Sequence, residues 1–186
     1  VTLGESTPES TELYSISGDS NVTVSQMMAY YKKFATYPSY YAGTDAPTLK
    51  KFCQFYYNEC EKEGIRAEVA FAQAMKETNF LRYGGDVKIS QFNFAGIGAV
   101  GGGAGGASFA NVRTGIRGHV QHLKAYANTE SLNGACVDPR FDLVTRGCAP
   151  YVEWLGISTN PYGKGWATDP TYSVSLRKMI DMLLDF

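Results

Sequence analysis

The chain has 186 residues, of which 44% are hydrophobic and 19% are charged, and its formal net charge is -1. This length and composition are typical of a single globular domain with a substantial core. A nearly neutral chain gives no electrostatic reason to expect a nucleic-acid partner, which would require a basic face. No apolar run approaches the ~18 residues of a membrane-spanning helix, so we expect no membrane insertion. The chain begins at Val1 without the basic and apolar regions of a signal peptide.

The first elements in the chain are a polar segment and two helices. Residues 1–20 are rich in Ser, Thr and Glu, which is typical of a linker or tail, and we expect the domain to occupy residues 21–186. The stretch "TVSQMMAYYKKFA" predicts a short helix capped by Thr23 or Ser25. Apolar residues recur at intervals of three and four over residues 48–62, which predicts an amphipathic helix that ends at Gly64.

The remaining elements surround a glycine-rich segment. Residues 66–78 are nearly all small or apolar, so we expect them to form the central and most buried helix. Residues 84–109 are rich in glycine and predict short strands and turns. Helical periodicity returns at residues 112–128 and 171–184, and the segment between these helices is predicted to be mostly loop. The expected fold is therefore mainly α, of an α+β kind, with a small glycine-rich lobe inserted after the central helix.

Four cysteines raise the question of disulfides. Cys53 and Cys60 lie two helical turns apart, roughly 10 Å between Cα atoms, which is beyond the ~7 Å limit for a disulfide. Cys136 and Cys148 lie in a region predicted to be loop, where they either pair or remain free thiols. No pair has the two-residue spacing of a Cys-type metal site.

Glu77 stands out on the central helix. Its neighbours one and two turns back are Ala70, Gln73 and Ala74, so its carboxylate is expected to be partly desolvated. It also lies near the C-terminal end of the helix, where the helix dipole disfavours a negative charge. Both effects raise the pKa of a carboxyl group, as a general acid requires. The alternative is an ordinary surface acid at a helix end.

The glycine-rich segment contains Gly96, Gly98 and Gly101, which match the pattern G-x-G-x-x-G. We reject a dinucleotide site, because no strand precedes the pattern, no helix follows it, and no acid lies about twenty residues further on. The glycines instead indicate a backbone that bends sharply or lies close to a ligand, such as a flap over a cleft. The alternative is a plain flexible loop.

Two histidines and two tryptophans are further candidates. His119 and His122 are one helical turn apart but lack a third metal ligand, so we predict no metal and expect them in the core or lining a cleft. Trp154 and Trp166 belong either to the core or to a surface that stacks on sugar rings.

Three stretches in order, "AFAQAMKETNF", "NFAGIG" and "GWATDPTY", resemble the glucosaminidase domain of glycoside hydrolase family 73. The resemblance spans roughly residues 50–185. This family consists of bacterial peptidoglycan hydrolases with a lysozyme-like fold. It cleaves the β-1,4 bond between N-acetylglucosamine and N-acetylmuramic acid.

The resemblance implies roles for individual residues. Glu77 is expected to be the general acid, and Tyr172 to position the reacting sugar or water. Asn93, Gly96 and Ile97 are expected to shape the floor of the cleft. The predicted substrate-binding residues are these three together with Gln73, Phe94, His119, Trp154 and Trp166.

The second catalytic group is the main departure from the family pattern. Many members are proposed to use a second glutamate in the irregular lobe, but Asp86 is the only acid between Glu77 and Glu130. Asp86 is one candidate for this group. The other is the 2-acetamido group of the substrate, assisted by Tyr172 and Asp169, and we favour this version slightly.

The resemblance also implies an enzyme without cofactors, a monomer that acts on peptidoglycan strands. It implies a secreted or cell-wall-associated protein of bacterial or phage origin. One rival is a muramidase or lytic transglycosylase, which shares the fold and the single glutamate. A rival of another class is a non-catalytic glycan-binding module.

Overall fold

The computed structural model describes residues 12–186, which form five α-helices joined by loops with short 3-10 turns. The prediction of a mainly helical fold is confirmed. In chain order, the helices are α1 (Val24–Phe34), α2 (Leu49–Glu63), α3 (Ala67–Thr78), α4 (Val112–Ala127) and α5 (Tyr172–Leu184).

The short strands predicted in residues 84–109 are not formed. This segment holds one 3-10 turn, Ile89–Gln91, and one isolated bridge between Gly101 and Ala104. Seven of its glycines adopt a positive φ, which interrupts the regular pleat of a strand. The glycine-rich lobe is therefore a series of turns. The glycines with positive φ that follow Gly84 are Gly96, Gly98, Gly101, Gly102, Gly103 and Gly106.

Local side-chain contacts define the helix ends close to the predicted positions. The Thr23 hydroxyl accepts a hydrogen bond from the Gln26 backbone, and the Gln26 side chain accepts one from the Thr23 backbone, forming a capping box. Thr48 caps α2 in a similar way. Gly64 ends α2 with a φ of 67°, a left-handed conformation that favours glycine.

Helix α3 lies at the centre of the molecule, as predicted. Every residue from Ala67 to Met75 is buried, and the helix packs against α2, α4 and α5. Its alanines let the neighbouring backbones approach closely on several sides. The buried run ends at Met75, and Lys76 and Glu77 in the last turn are partly exposed.

Ion pairs with buried carboxylates connect α2 to α4. The Glu59 carboxylate accepts hydrogen bonds from Arg113 at 3.1 Å and Arg117 at 3.0 Å. Glu63 contacts the Lys124 ammonium at 3.0 Å, and both side chains are almost completely buried. Because an unpaired charge in this interface would be costly, the pairs specify how the two helices align.

The N-terminal segment differs from the linker predicted for residues 1–20. Residues 1–11 lie outside the described residues. Ile16 is fully buried, its N–H donates to the Pro150 carbonyl at 3.0 Å, and its carbonyl accepts from the Arg66 N–H at 2.9 Å. The Tyr14 hydroxyl donates to Glu68 at 2.8 Å. Residues 12–20 therefore pack against the helices, because an apolar side chain within the polar stretch fits the core.

The four cysteines are free thiols. Cys53 and Cys60 are buried on α2 and do not bond to each other, as expected. The possible Cys136–Cys148 disulfide is not formed, and the exposed Cys136 thiol donates to the Asp138 carbonyl at 3.5 Å. Over residues 12–186, no helix is both long and apolar enough to cross a membrane.

Candidate active site

A left-handed turn ends α3 directly after Glu77. Asn79, Phe80 and Leu81 have φ values of 49°, 54° and 64°, a region that residues other than glycine rarely occupy. Thr78 stabilises the turn, since its hydroxyl accepts from the Leu81 N–H at 2.9 Å and its carbonyl from the Tyr83 N–H at 2.8 Å. The chain thus leaves the helix abruptly, and Glu77 stays in the last turn at the edge of a cleft.

The cleft lies between the end of α3 and the glycine-rich lobe. Glu77, Lys76 and Tyr83 line one side, and Asp86 and Gly96 belong to the lobe. Gly96 has a φ of 65°, and a Cβ atom added to it would lie 3.5 Å from Glu77 Oε2. Glycine at this position therefore allows the lobe to lie directly opposite the carboxyl group.

The surroundings of Glu77 shift its titration upward. Burial raises the pKa of Glu77 above the ordinary value of a glutamate. The Tyr172 hydroxyl, the Lys76 ammonium and the Trp166 indole all favour the charged form, but together they do not outweigh burial. A raised pKa keeps the carboxyl group protonated closer to neutral pH, which suits a general acid.

A chain of buried hydrogen bonds leads away from Glu77 into the core. The Tyr172 hydroxyl donates to Glu77 Oε1 at 2.8 Å, and Gln73 Nε2 donates to the Tyr172 oxygen at 2.9 Å. His119 Nε2 lies 2.8 Å from Gln73 Oε1, and the Tyr56 hydroxyl lies 2.8 Å from His119 Nδ1. The five side chains come from α2, α3, α4 and α5, so four of the five helices help to hold Glu77 in place.

The direction of this chain follows from the protonation state of His119. Burial, with a smaller contribution from His122, lowers the pKa of His119 to about 3, so the ring is neutral. The amide oxygen of Gln73 faces His119, so His119 Nε2 carries the proton and Nδ1 accepts from Tyr56. Tyr56 then donates to His119, His119 to Gln73, Gln73 to Tyr172 and Tyr172 to Glu77, so every hydrogen bond in the chain is donated in the direction of Glu77. Because Oε1 accepts from Tyr172, a proton on Glu77 resides on Oε2, the oxygen opposite Gly96.

Asn93 organises the loop that forms the cleft wall. Its side-chain amide donates to the carbonyls of Ile97 at 2.9 Å and Ala107 at 3.1 Å, and its oxygen accepts from the Ile97 N–H at 3.0 Å. Asn93 is fully buried, so it shapes the wall without facing a sugar. Phe94 is also fully buried, with its ring 5.2 Å from that of Phe52. Its predicted contact with substrate is not supported, because an apolar ring is better accommodated in the core.

A second hollow adjoins the cleft on the other side of the Gly96 segment. It is lined by residues 95–100 and by the side chains of His122, Tyr126, Arg140 and Trp166. The ring centroid of Trp166 lies 4.9 Å from that of His122 and 5.3 Å from that of Tyr126. Trp166 therefore belongs to the lining of this hollow, packed beside His122 and Tyr126.

A family model of the glucosaminidase domain, described as mannosyl-glycoprotein endo-beta-N-acetylglucosaminidase, matches residues 53–184. The chain belongs to the glucosaminidase family. This match confirms the family resemblance. The chain is also 41% identical, over 131 residues, to an uncharacterized protein of Borreliella burgdorferi (strain ATCC 35210 / DSM 4680 / CIP 102532 / B31). The match covers 70% of this chain and 61% of that protein, so the chain spans about three fifths of this relative.

Four further predicted site residues lie away from the cleft. Gln73 and His119 are fully buried, hydrogen-bond to each other and do not line the cleft. Trp154 lines a different pocket, and its ring packs 4.9 Å from that of Tyr151. Asp169 is fully exposed and accepts hydrogen bonds from the backbone and hydroxyl of Thr171, both at 2.9 Å, which lower its pKa. Asp169 thus stabilises the start of α5.

The paired histidines have separate partners. His119 lies between Tyr56 and Gln73, whereas His122 Nδ1 lies 2.7 Å from the Asp138 carboxylate. In the part of the chain that the structure describes, no three His, Cys, Asp or Glu side chains cluster as metal ligands would.

Four residues beside the cleft and the second hollow were missed by sequence reasoning. Lys76 and Tyr83 follow no periodic pattern that separates them from surface residues, although each adjoins the Glu77 helix end. Asp138 and Arg140 lie in a loop far along the chain, and no motif associates them with Glu77. The spacing of Asp138 and Arg140 is the one sequence signal for this loop. It is typical of a turn in which the aspartate carboxylate accepts a hydrogen bond from the N–H two residues further on.

Proposed function

We propose that this glucosaminidase hydrolyses the β-1,4 bond between N-acetylglucosamine and N-acetylmuramic acid in peptidoglycan, with Glu77 as the general acid. Family membership supports a peptidoglycan substrate. The observation that carries the proposal is the unequal environment of the two Glu77 oxygens. Oε1 accepts the Tyr172 hydrogen bond at 2.8 Å, whereas Oε2 faces the cleft opposite Gly96.

In the first step, Glu77 Oε2 gives its proton to the glycosidic oxygen as the bond from that oxygen to C1 of N-acetylglucosamine breaks. The leaving sugar departs with its hydroxyl group restored, and positive charge develops at C1. The Tyr172 hydroxyl stabilises the carboxylate that forms on Glu77, since hydrogen bonds to charged groups are stronger than those to neutral ones.

Two routes complete the reaction. In the first, the acetamido oxygen of the same sugar bonds to C1, and water, deprotonated by Glu77, then opens this ring with net retention of configuration. In the second, Asp86 deprotonates a water molecule that attacks C1 directly, with inversion. Asp86 supports the second route because it lines the cleft of Glu77, where its carboxylate accepts from the Gly103 N–H at 3.3 Å.

The proposed substrate places the working site of the enzyme outside the cytoplasm, at a bacterial cell wall. This location agrees with a secreted protein encoded by a bacterium or a phage. A polymeric substrate also requires a cleft open to long strands, which suits the position of Glu77 at the edge of the helical body.

The experiment is digestion of purified peptidoglycan by the wild-type enzyme, followed by reduction and mass spectrometry of the fragments. New reducing ends of N-acetylglucosamine support the proposal. Reducing or anhydro muramic ends would identify a muramidase or lytic transglycosylase, and the absence of new ends would indicate a glycan-binding module. Proton NMR of the anomer released first separates the two routes, because the first retains the configuration at C1 and the second inverts it. Asp86→Asn is expected to abolish activity only in the inverting route.

A further inference from the structure

The second hollow adjoins the catalytic cleft without being part of it. Both are bordered by Gly96 and Ala99, so the two hollows lie on opposite sides of one loop segment. Trp166 lines the second hollow, and its indole also lowers the pKa of Glu77 against the effect of burial. A glycan strand with its scissile bond at Glu77 therefore has a neighbouring sugar within reach of the second hollow.

Arg140 is the distinctive group of this hollow. Over residues 12–186, the other six arginines each donate from the side chain to a carboxylate or a backbone carbonyl. The Arg140 guanidinium makes no such hydrogen bond and no ion pair within this part of the chain. Its backbone N–H donates to Asp138 at 2.9 Å, and its Cδ atom lies 3.5 Å from the place of a Cβ on Gly98. The side chain thus lies against the cleft loop with its donors free for a ligand.

His122 is held in the hollow with one nitrogen free. Its Nδ1 donates to the buried carboxylate of Asp138 at 2.7 Å, which fixes the ring and leaves Nε2 without a partner among the described residues. Nε2 is therefore available for a hydrogen bond to a polar group of a bound sugar. The rings of Trp166 and Tyr126 beside it offer an apolar surface of the kind that packs against a sugar ring.

Together, the groups of the second hollow favour binding of a sugar that carries a carboxylate. A guanidinium with free donors binds a planar carboxylate through two parallel hydrogen bonds. In peptidoglycan the muramyl unit alone has an acidic substituent, the lactyl ether at O3. Its carboxylate is free on strands without stem peptides, and on other strands it forms the amide to a peptide that has carboxylates of its own.

We propose that the second hollow binds a muramyl unit next to the scissile bond, with Arg140 contacting its carboxylate and His122 Nε2 hydrogen-bonding to the sugar. This inference rests on the proposed peptidoglycan substrate. The carboxylate belongs either to the free lactyl group or to the stem peptide, and the two sources are distinguished by the probes used below.

The test is isothermal titration calorimetry in a Glu77→Gln background, which prevents cleavage of the probes. The probes are three tetrasaccharides of alternating N-acetylglucosamine and N-acetylmuramic acid, with the lactyl group free, capped as a methylamide, or joined to a stem peptide. We expect a carboxylate-bearing probe to bind roughly tenfold more tightly than the methylamide, as one charged hydrogen-bonded pair would give. Preference for the free or for the peptide-bearing probe identifies the source of the carboxylate.

Arg140→Gln should abolish this discrimination, whereas Arg140→Lys should retain part of it. Lys50→Gln removes one charge from an exposed position on α2 and should leave the discrimination intact. Equal discrimination with and without Arg140, or failure of all three probes to bind, would overturn the inference. The peptidoglycan digestion tests the proposed function independently of Arg140. If that function were wrong, the wild type would release no N-acetylglucosamine reducing ends.

Discussion

Replacing Tyr172 by Phe removes the hydroxyl that donates to Glu77 Oε1 at 2.8 Å and leaves the ring in place. This hydrogen bond favours the charged carboxylate and so lowers the pKa of Glu77 against the larger effect of burial. A hydrogen bond to a charged group contributes ~1.5–3 kcal/mol, and 1.36 kcal/mol corresponds to one pH unit. The pKa of Glu77 should therefore rise by about one to two pH units in the variant.

A general acid is active in its protonated form, so the rate falls as pH rises through the pKa of Glu77. In Tyr172→Phe we expect the alkaline side of the pH–rate profile to move upward by about one to two pH units. The maximal rate should also fall, because the carboxyl group is less well oriented. The assay is kcat/KM on soluble glycan fragments from pH 4 to 9, with Tyr151→Phe as a control remote from Glu77. A profile whose alkaline side stays in place or moves downward would refute the reasoning.

Three further changes probe the core and the cleft wall. The pKa of His119 is lowered to about 3 by burial, so acidification below pH 6.5 protonates the unfolded chain first and stability falls by ~1.4 kcal/mol per pH unit. His119→Gln should flatten this dependence between pH 6 and 4, as measured by urea unfolding, and an unchanged slope would contradict it. Lys124→Met leaves a buried carboxylate unpaired on α2 and should lower the free energy of unfolding by ~3–5 kcal/mol; a loss below 1 kcal/mol would show that the pair matters little. Gly96→Ala places a methyl group in contact with Glu77 Oε2, where the glycosidic oxygen must approach, and should reduce kcat/KM roughly tenfold or more. Gly102→Ala, with the same φ of 65° and open space around it, should not.

The helices were predictable because their signals are local. Thr23, Thr48 and Gly64 each act within one turn of the helix end they define, so the sequence alone contains the information. The burial of α3 and the unusual position of Glu77 follow from the small residues that surround it in the sequence. The raised pKa of Glu77 agrees with the desolvation expected from those neighbours.

The site around Glu77 depends on residues far apart in the chain. Tyr56, His119 and Tyr172 join one hydrogen-bond chain although no sequence pattern relates them. Trp154 and Trp166 both lie in loops near tyrosines, yet Trp166 packs beside His122 and Trp154 lines another pocket. Tertiary packing determines such differences, because a loop residue has no periodicity that reveals which neighbour it will contact.

The most direct test of the account is the activity of Glu77→Gln, which keeps the shape of the side chain but cannot donate an acid proton. We predict that its rate of glycosidic cleavage falls by roughly 10²–10⁴-fold, with unfolding behaviour close to that of the wild type. Glu61→Gln, an exposed change on α2, serves as the matched control and should keep full activity. A rate for Glu77→Gln within a few-fold of the wild type would contradict the assignment of Glu77 as the general acid.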